Sequence, residues 1–61
     1  MKKALCNYHT SMTVMITVNG KPELHEINAY WLDNGETIYR TDADADTTRR
    51  TLIIDAFNIL Y

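Results

Sequence analysis

The chain has 61 residues, of which 46% are hydrophobic, and its formal net charge is −2, from six Lys and Arg against eight Asp and Glu. This length gives one domain, residues 1–61, near the lower limit for a chain that folds alone, and the composition is that of a folded domain rather than a disordered tail. The charges are too balanced for a duplex-DNA binder, which usually carries a basic stripe, or for a DNA mimic, which is far more acidic.

The single cysteine, Cys6, excludes an internal disulfide framework, so we expect a reducing, cytoplasmic setting. Residues 1–6 look like the start of a secretory signal, but polar residues follow from Asn7 onward. A signal needs an apolar run of roughly 7–15 residues, and a membrane span needs a longer one. We therefore predict neither.

After a loosely held lead-in over residues 1–7, residues 8–18 are dense in β-branched side chains and alternate in polarity, which predicts strand 1. A turn over residues 19–22 follows. A two-residue loop would pair Thr17 with Pro22, whereas a four-residue loop would pair Val18 with Glu23. We favour the second, because Pro22 cannot donate a hydrogen bond to a strand ladder.

Strands 2 and 3, over residues 23–33 and 36–41, flank the Asn34-Gly35 pair, a strong signal for a two-residue type I′ hairpin. That loop would pair Trp31 with Ile38 and Tyr30 with Tyr39. Alternation then predicts one apolar face, formed by Met12, Val14, Ile16, Ile27, Ala29, Trp31 and Ile38.

Residues 42–48 are rich in helix-start residues, with Asp44, Asp46 or Thr47 able to serve as N-cap. Residues 46–60 then carry a helical stripe, formed by Leu52, Ile53, Ala56, Phe57 and Leu60. The predicted fold is α+β: a three-stranded antiparallel β-meander with one C-terminal α-helix packed on one face, in the order β-β-β-α.

One helix covers one face of such a sheet, and the other face is not fully polar. The candidate protein-binding residues on this open face are Met15, Leu24, Asn28, Tyr30, Leu32 and Tyr39. An edge strand is a second possible site, because its unpaired backbone can accept another strand. Marginal size also favours a homodimer, which would enlarge the buried core.

No residue pattern predicts a metal or another cofactor. Asp42, Asp44 and Asp46 have the spacing that opens a calcium loop, but Thr47 and Ile53 stand where that loop needs Gly and Glu.

The pair Cys6 and His9, with His25 as the other soft ligand, falls short of the four ligands of a structural zinc site. A Cys/His nucleophilic site would use the same residues, and 61 residues leave little room for a pocket as well. We therefore predict no metal, no cofactor and no catalytic residues.

Nucleic-acid binding is the alternative from another class. Tyr30 and Tyr39, beside Asn28, could stack bases as sheet platforms do in binders of single strands. In the predicted register Arg40 points to the other face, so a cationic groove is missing.

We therefore expect a small, non-enzymatic protein-binding regulator. Such chains are typical of the inhibitors and adaptors by which phages and other mobile elements occupy a host protein surface. A structural subunit of a larger assembly is a further alternative.

Overall fold

A computed structural model describes residues 4–61. The elements are β1 (Cys6–Val18), β2 (Lys21–Leu32), β3 (Thr37–Thr41) and α1 (Thr47–Leu60). The strands form one antiparallel sheet in the order β1-β2-β3, and α1 packs against one face. The predicted α+β fold with β-β-β-α order is confirmed. Of the lead-in over residues 1–7, residues 1–3 lie outside the described residues, whereas Cys6 and Asn7 belong to β1.

The first hairpin has a two-residue loop, because Asn19 (φ 53°) and Gly20 (φ 78°) both take the positive φ of a type I′ turn. Thr17 pairs with Pro22, so the favoured four-residue register is wrong. Pro22 is tolerated because β3 pairs only with residues 27–31 of β2, which leaves no strand beside Pro22 on that side. The shift is two residues, so every β1 and β2 side chain keeps its predicted face.

The second hairpin has a three-residue loop, residues 33–35. The Leu32 N–H donates to the Glu36 carbonyl (2.8 Å), the Gly35 N–H donates to the Leu32 carbonyl (3.1 Å), and Gly35 has a φ of 90°. Asn34 does not take a positive φ, as a type I′ turn would require. The arrangement is that of a turn followed by a glycine bulge.

This loop changes the register of β3 by one residue and therefore exchanges its faces. Ala29 pairs with Tyr39, and Tyr30 pairs with Ile38. Tyr39 thus lies on the helix side and Ile38 on the open side, and both predictions are wrong. Arg40 pairs with Asn28 and also lies on the open side, contrary to prediction.

The core lies between α1 and the sheet. Its buried side chains are Val14, Ile16, Ile27, Ala29, Ile53 and Phe57. Phe57 is the largest of them, and its ring packs 6.2 Å from that of Trp31 and 5.9 Å from that of Tyr39, measured between centroids. The prediction that Leu60 belongs to the core stripe is wrong, because this residue is 64% exposed.

The helix begins where a capping residue satisfies its first backbone amides. Asp46 is the N-cap, as one of three predicted candidates, and its carboxylate accepts a hydrogen bond from the Arg49 N–H (3.1 Å). α1 has 14 residues, and within residues 4–61 no helix is long and apolar enough to cross a membrane.

Replacing Phe57 with alanine tests the docking of α1. We expect Phe57→Ala to lower the free energy of unfolding by about 3–5 kcal/mol, because it removes a fully buried ring and leaves a cavity. The whole stability expected for this length is only about 3–9 kcal/mol. Urea unfolding followed by circular dichroism measures the change. Asp55→Ala, at an exposed helix position, is the control and should stay within about 0.5 kcal/mol. A fully stable Phe57→Ala variant would contradict this packing.

Candidate functional site on the open face of the sheet

The open face is the side of the sheet opposite α1. Its cross-strand pairs are Met15 with Leu24, Thr13 with Glu26, Ser11 with Asn28, His9 with Tyr30, Asn28 with Arg40, and Tyr30 with Ile38. Within residues 4–61, the helix packs against the other face, so nothing in the described chain covers this one.

The structure brings most of the predicted binding residues together here. Met15 and Leu24 lie directly opposite each other, 61% and 71% exposed. Asn28 and Tyr30 follow along β2, with half-buried Leu32 at its end. Tyr39 does not belong to this surface, because it packs against Phe57 on the helix side. That the remaining five bind a partner stays a prediction.

Polar side chains occupy the centre of this face. The Ser11 hydroxyl donates to Asn28 Oδ1, and His9 Nε2 lies 3.3 Å from the same oxygen. The His9 ring stacks on Tyr30, with centroids 4.5 Å apart and planes 9° from parallel. A shallow depression beside Asn28 is lined in part by Thr13 and Glu26. The face therefore offers hydrogen-bonding groups between two more apolar ends.

The cationic groove that a nucleic-acid binder needs is only partly present. Arg40 lies on the open face, diagonal to the stacked His9–Tyr30 pair. It is the one Lys or Arg of β1, β2 and β3 placed there, since Lys21 shares a side with Val18 on the helix side. Arg49 and Arg50 are held by carboxylates near the start of α1.

A second polar cluster lies on the helix side and was missed by sequence reasoning, which considered His25 only as a zinc ligand or a catalytic residue. We call Glu23, His25, Asp42, Asp46 and Arg49 the ionic cluster. Arg49 donates to both carboxylate oxygens of Glu23, at 2.9 and 3.0 Å, and to Asp46 at 2.8 Å. The two ring nitrogens of His25 lie 2.8 Å from Asp42 and from Glu23.

These contacts shift the protonation equilibria. The Arg49 guanidinium, with His25, lowers the pKa of Glu23 to about 2. The carboxylates of Glu23 and Asp42 raise the pKa of His25 above its ordinary value of 6.5. Because both ring nitrogens of His25 are engaged, none is left to exchange a proton with a substrate. The ionic cluster thus fastens the start of α1 to the part of β2 that β3 does not reach.

A signal for this cluster was present in the sequence. Glu23 and His25 alternate in step with Ile27, which places them on the helix side, where polar groups need partners. Asp42 supplies one and also extends the edge of β3: its N–H donates to the Glu26 carbonyl, and its carboxylate accepts from the Glu26 N–H.

The aspartates considered for calcium are engaged with protein donors. Asp44 accepts hydrogen bonds from the Thr41 N–H (3.0 Å) and from Arg50 (3.1 Å), while Asp42 and Asp46 belong to the ionic cluster. Over residues 4–61, no three or more His, Cys, Asp or Glu side chains are grouped so that they could hold a metal ion. The absence of a metal or cofactor remains a prediction. Cys6 is exposed, and its thiol donates to the Tyr8 carbonyl.

Comparison of this chain with known protein families, curated proteins and solved structures finds no match.

The ionic cluster predicts how stability depends on pH. The folded-state pKa of His25 is raised, so its contribution is complete below pH 6.5 and is lost as the pH rises through that higher value. The pKa of Glu23 is lowered, so its contribution is complete above its ordinary 4.5 and is lost as the pH falls towards 2. We therefore expect the melting temperature to be highest between pH 4.5 and 6.5.

Variants of the two histidines show whether the decline in melting temperature above pH 6.5 comes from the ionic cluster or from general charge repulsion. His25→Gln should remove most of the decline above pH 6.5, whereas His9→Gln, which leaves the ionic cluster intact, should keep it. Calorimetry across this range measures both. A decline that survives in His25→Gln would show that the ionic cluster is not its source.

Proposed function

We propose that this chain is a small, non-enzymatic regulator that acts by binding another protein through the open face of its sheet. The observation that carries the proposal is the Met15–Leu24 pair: two large apolar side chains, directly opposed and mostly exposed, on a face that no element within residues 4–61 covers. Exposed apolar surface of this kind usually marks an interaction site.

The rest of the open face suits a protein partner. Burying a Leu or Met side chain contributes about 1.5–3 kcal/mol, which makes Leu24 and Met15 anchors for an apolar recess on the target. Asn28, Ser11 and Glu26 beside them present amide, hydroxyl and carboxylate groups, the polar complement that protein interfaces require. The shallow depression at Asn28 is too open to enclose a small substrate, which supports a binding role over catalysis.

A charge placed on the apolar anchor tests this proposal. Tagged wild-type protein, Leu24→Asp and Thr48→Asp are used to capture partners from a native lysate, with and without nuclease. Thr48 lies exposed on α1, so its variant carries the same charge away from the open face. We expect one protein in stoichiometric amount after nuclease, retained by Thr48→Asp and reduced about tenfold or more in Leu24→Asp. Equal capture by Leu24→Asp would remove the open face as the site.

Binding of single-stranded nucleic acid is the second candidate, and one observation favours it. Arg40 lies on the open face near the stacked His9–Tyr30 pair, so a cation and a stacking platform share one surface. The same capture experiment tests this candidate. Nucleic-acid binding would be favoured over protein binding if the wild-type protein recovers nucleic acid that nuclease removes and Tyr30→Ala does not recover it.

A further inference from the structure

The outer edge of β1 is unusual for an edge strand. The strand order leaves this edge without a partner strand in the described chain, over the 13 residues Cys6–Val18. These 13 residues include no Asp, Glu, Lys, Arg or Pro. Edge strands are normally kept from pairing by charges, proline or short length, and here the only such device is a bulge between Cys6 and Tyr8.

The hydrogen bonds of β2 show which backbone N–H and C=O groups of β1 point outward at this edge. On the β3 side of β2, the Leu32 N–H donates to Glu36 and the Glu26 carbonyl accepts from Asp42, whereas the Asp33 N–H donates to Leu5 on the β1 side. Even-numbered residues of β2 therefore bond towards β3. Because antiparallel pairs alternate, odd-numbered residues of β1 direct their N–H and C=O groups away from β2. They are His9, Ser11, Thr13, Met15 and Thr17.

An apolar flank of α1 lies above the same edge. Met15, Ala56, Ile59 and Leu60 line a groove of about 330 Å³ there, and Ile59 is 84% exposed. The opposite flank of α1 faces β3, where the Tyr39 hydroxyl donates to Asn58. A chain that adds a strand to β1 would therefore also contact the apolar flank.

The β1 edge is long enough for a stable interface. At about 3.3 Å per residue, the 13 residues of β1 form an edge about 43 Å long, and the α1 flank beside it adds to the area that a second copy would cover. Stable dimers bury about 800 Å² on each partner.

We propose that the occupant of this edge is a second copy of the chain. β1 of each copy pairs antiparallel with β1 of the other about a two-fold axis perpendicular to the sheet, which makes one six-stranded sheet. The axis keeps both helices on the same face, so Ala56, Ile59 and Leu60 of one copy face their counterparts. An uncharged strand meets no like-charge repulsion from its own copy, whereas β3 is short and carries Arg40.

This interface shares Met15 with the open face and leaves Leu24 and the rest of that face uncovered in the dimer. Leu24 belongs only to the open face, and Ile59 belongs only to the β1 edge surface. Variants at these two positions therefore distinguish failure of one proposal from failure of the other.

Mass measurement by analytical ultracentrifugation tests the dimer. We expect wild-type protein and Leu24→Asp at twice 7.1 kDa, and Ile59→Asp at 7.1 kDa. Thr13→Pro should also be monomeric, because proline lacks the outward N–H that would bond to the partner strand. The fold should be kept, because an edge strand tolerates proline where its N–H points outward. Circular dichroism confirms that each variant is folded.

Amide hydrogen exchange of the unmodified chain provides a readout that needs no variant. In the dimer, the outward N–H groups of Ser11, Thr13 and Met15 are hydrogen-bonded and exchange slowly, and they become fast in Ile59→Asp. A wild-type mass of 7.1 kDa would overturn the proposal. So would a dimer in which these amides exchange fast, or one that Ile59→Asp leaves intact.

Discussion

The docking of α1 on the sheet through Ile53 and Phe57 is the contact on which the rest of the fold depends. A helix of 14 residues is marginal in water, and within residues 4–61 it is the element that covers the apolar face of the sheet. Phe57 lies between α1 and the sheet, where its ring packs against Trp31 of β2 and Tyr39 of β3.

The ionic cluster then fixes the other end of the helix. Arg49 ties it to Glu23, so hydrophobic burial and charge pairing act at opposite ends of one element.

The comparison of the two hairpins shows how far local sequence can determine a sheet. Asn-Gly occurs in both turns, yet Asn19 takes a positive φ and Asn34 does not. The first register was wrong by two residues, an even number, so the predicted core residues of β1 and β2 were still on the correct face. The second register was wrong by one residue, which moved Tyr39 from the open face to the helix side, where it packs against the core. Packing of Tyr39 against Phe57 is a long-range contact that no turn motif encodes.

The open face was predictable to the extent that alternation along β1 and β2 defines it, which accounts for Met15, Leu24, Asn28 and Tyr30. The ionic cluster was not found, although the positions of Glu23 and His25 on the helix side suggested it. Its partners come from the segment after β3 and from α1, and their path depends on where β3 ends. That β1 is an edge strand followed from the predicted meander, whereas the apolar flank of α1 beside this edge became visible only in the structure.

The bulged loop at Gly35 has an evolutionary consequence. β3 has five residues and one short loop before it, so a change in the length of that loop changes which of its side chains reach the open face. Loss of one loop residue by deletion would exchange Ile38 and Arg40 for Tyr39 without altering the strand order. The deletion would also remove the contact between Tyr39 and Phe57. Loss of a single codon in this loop would thus give the same scaffold a different exposed surface.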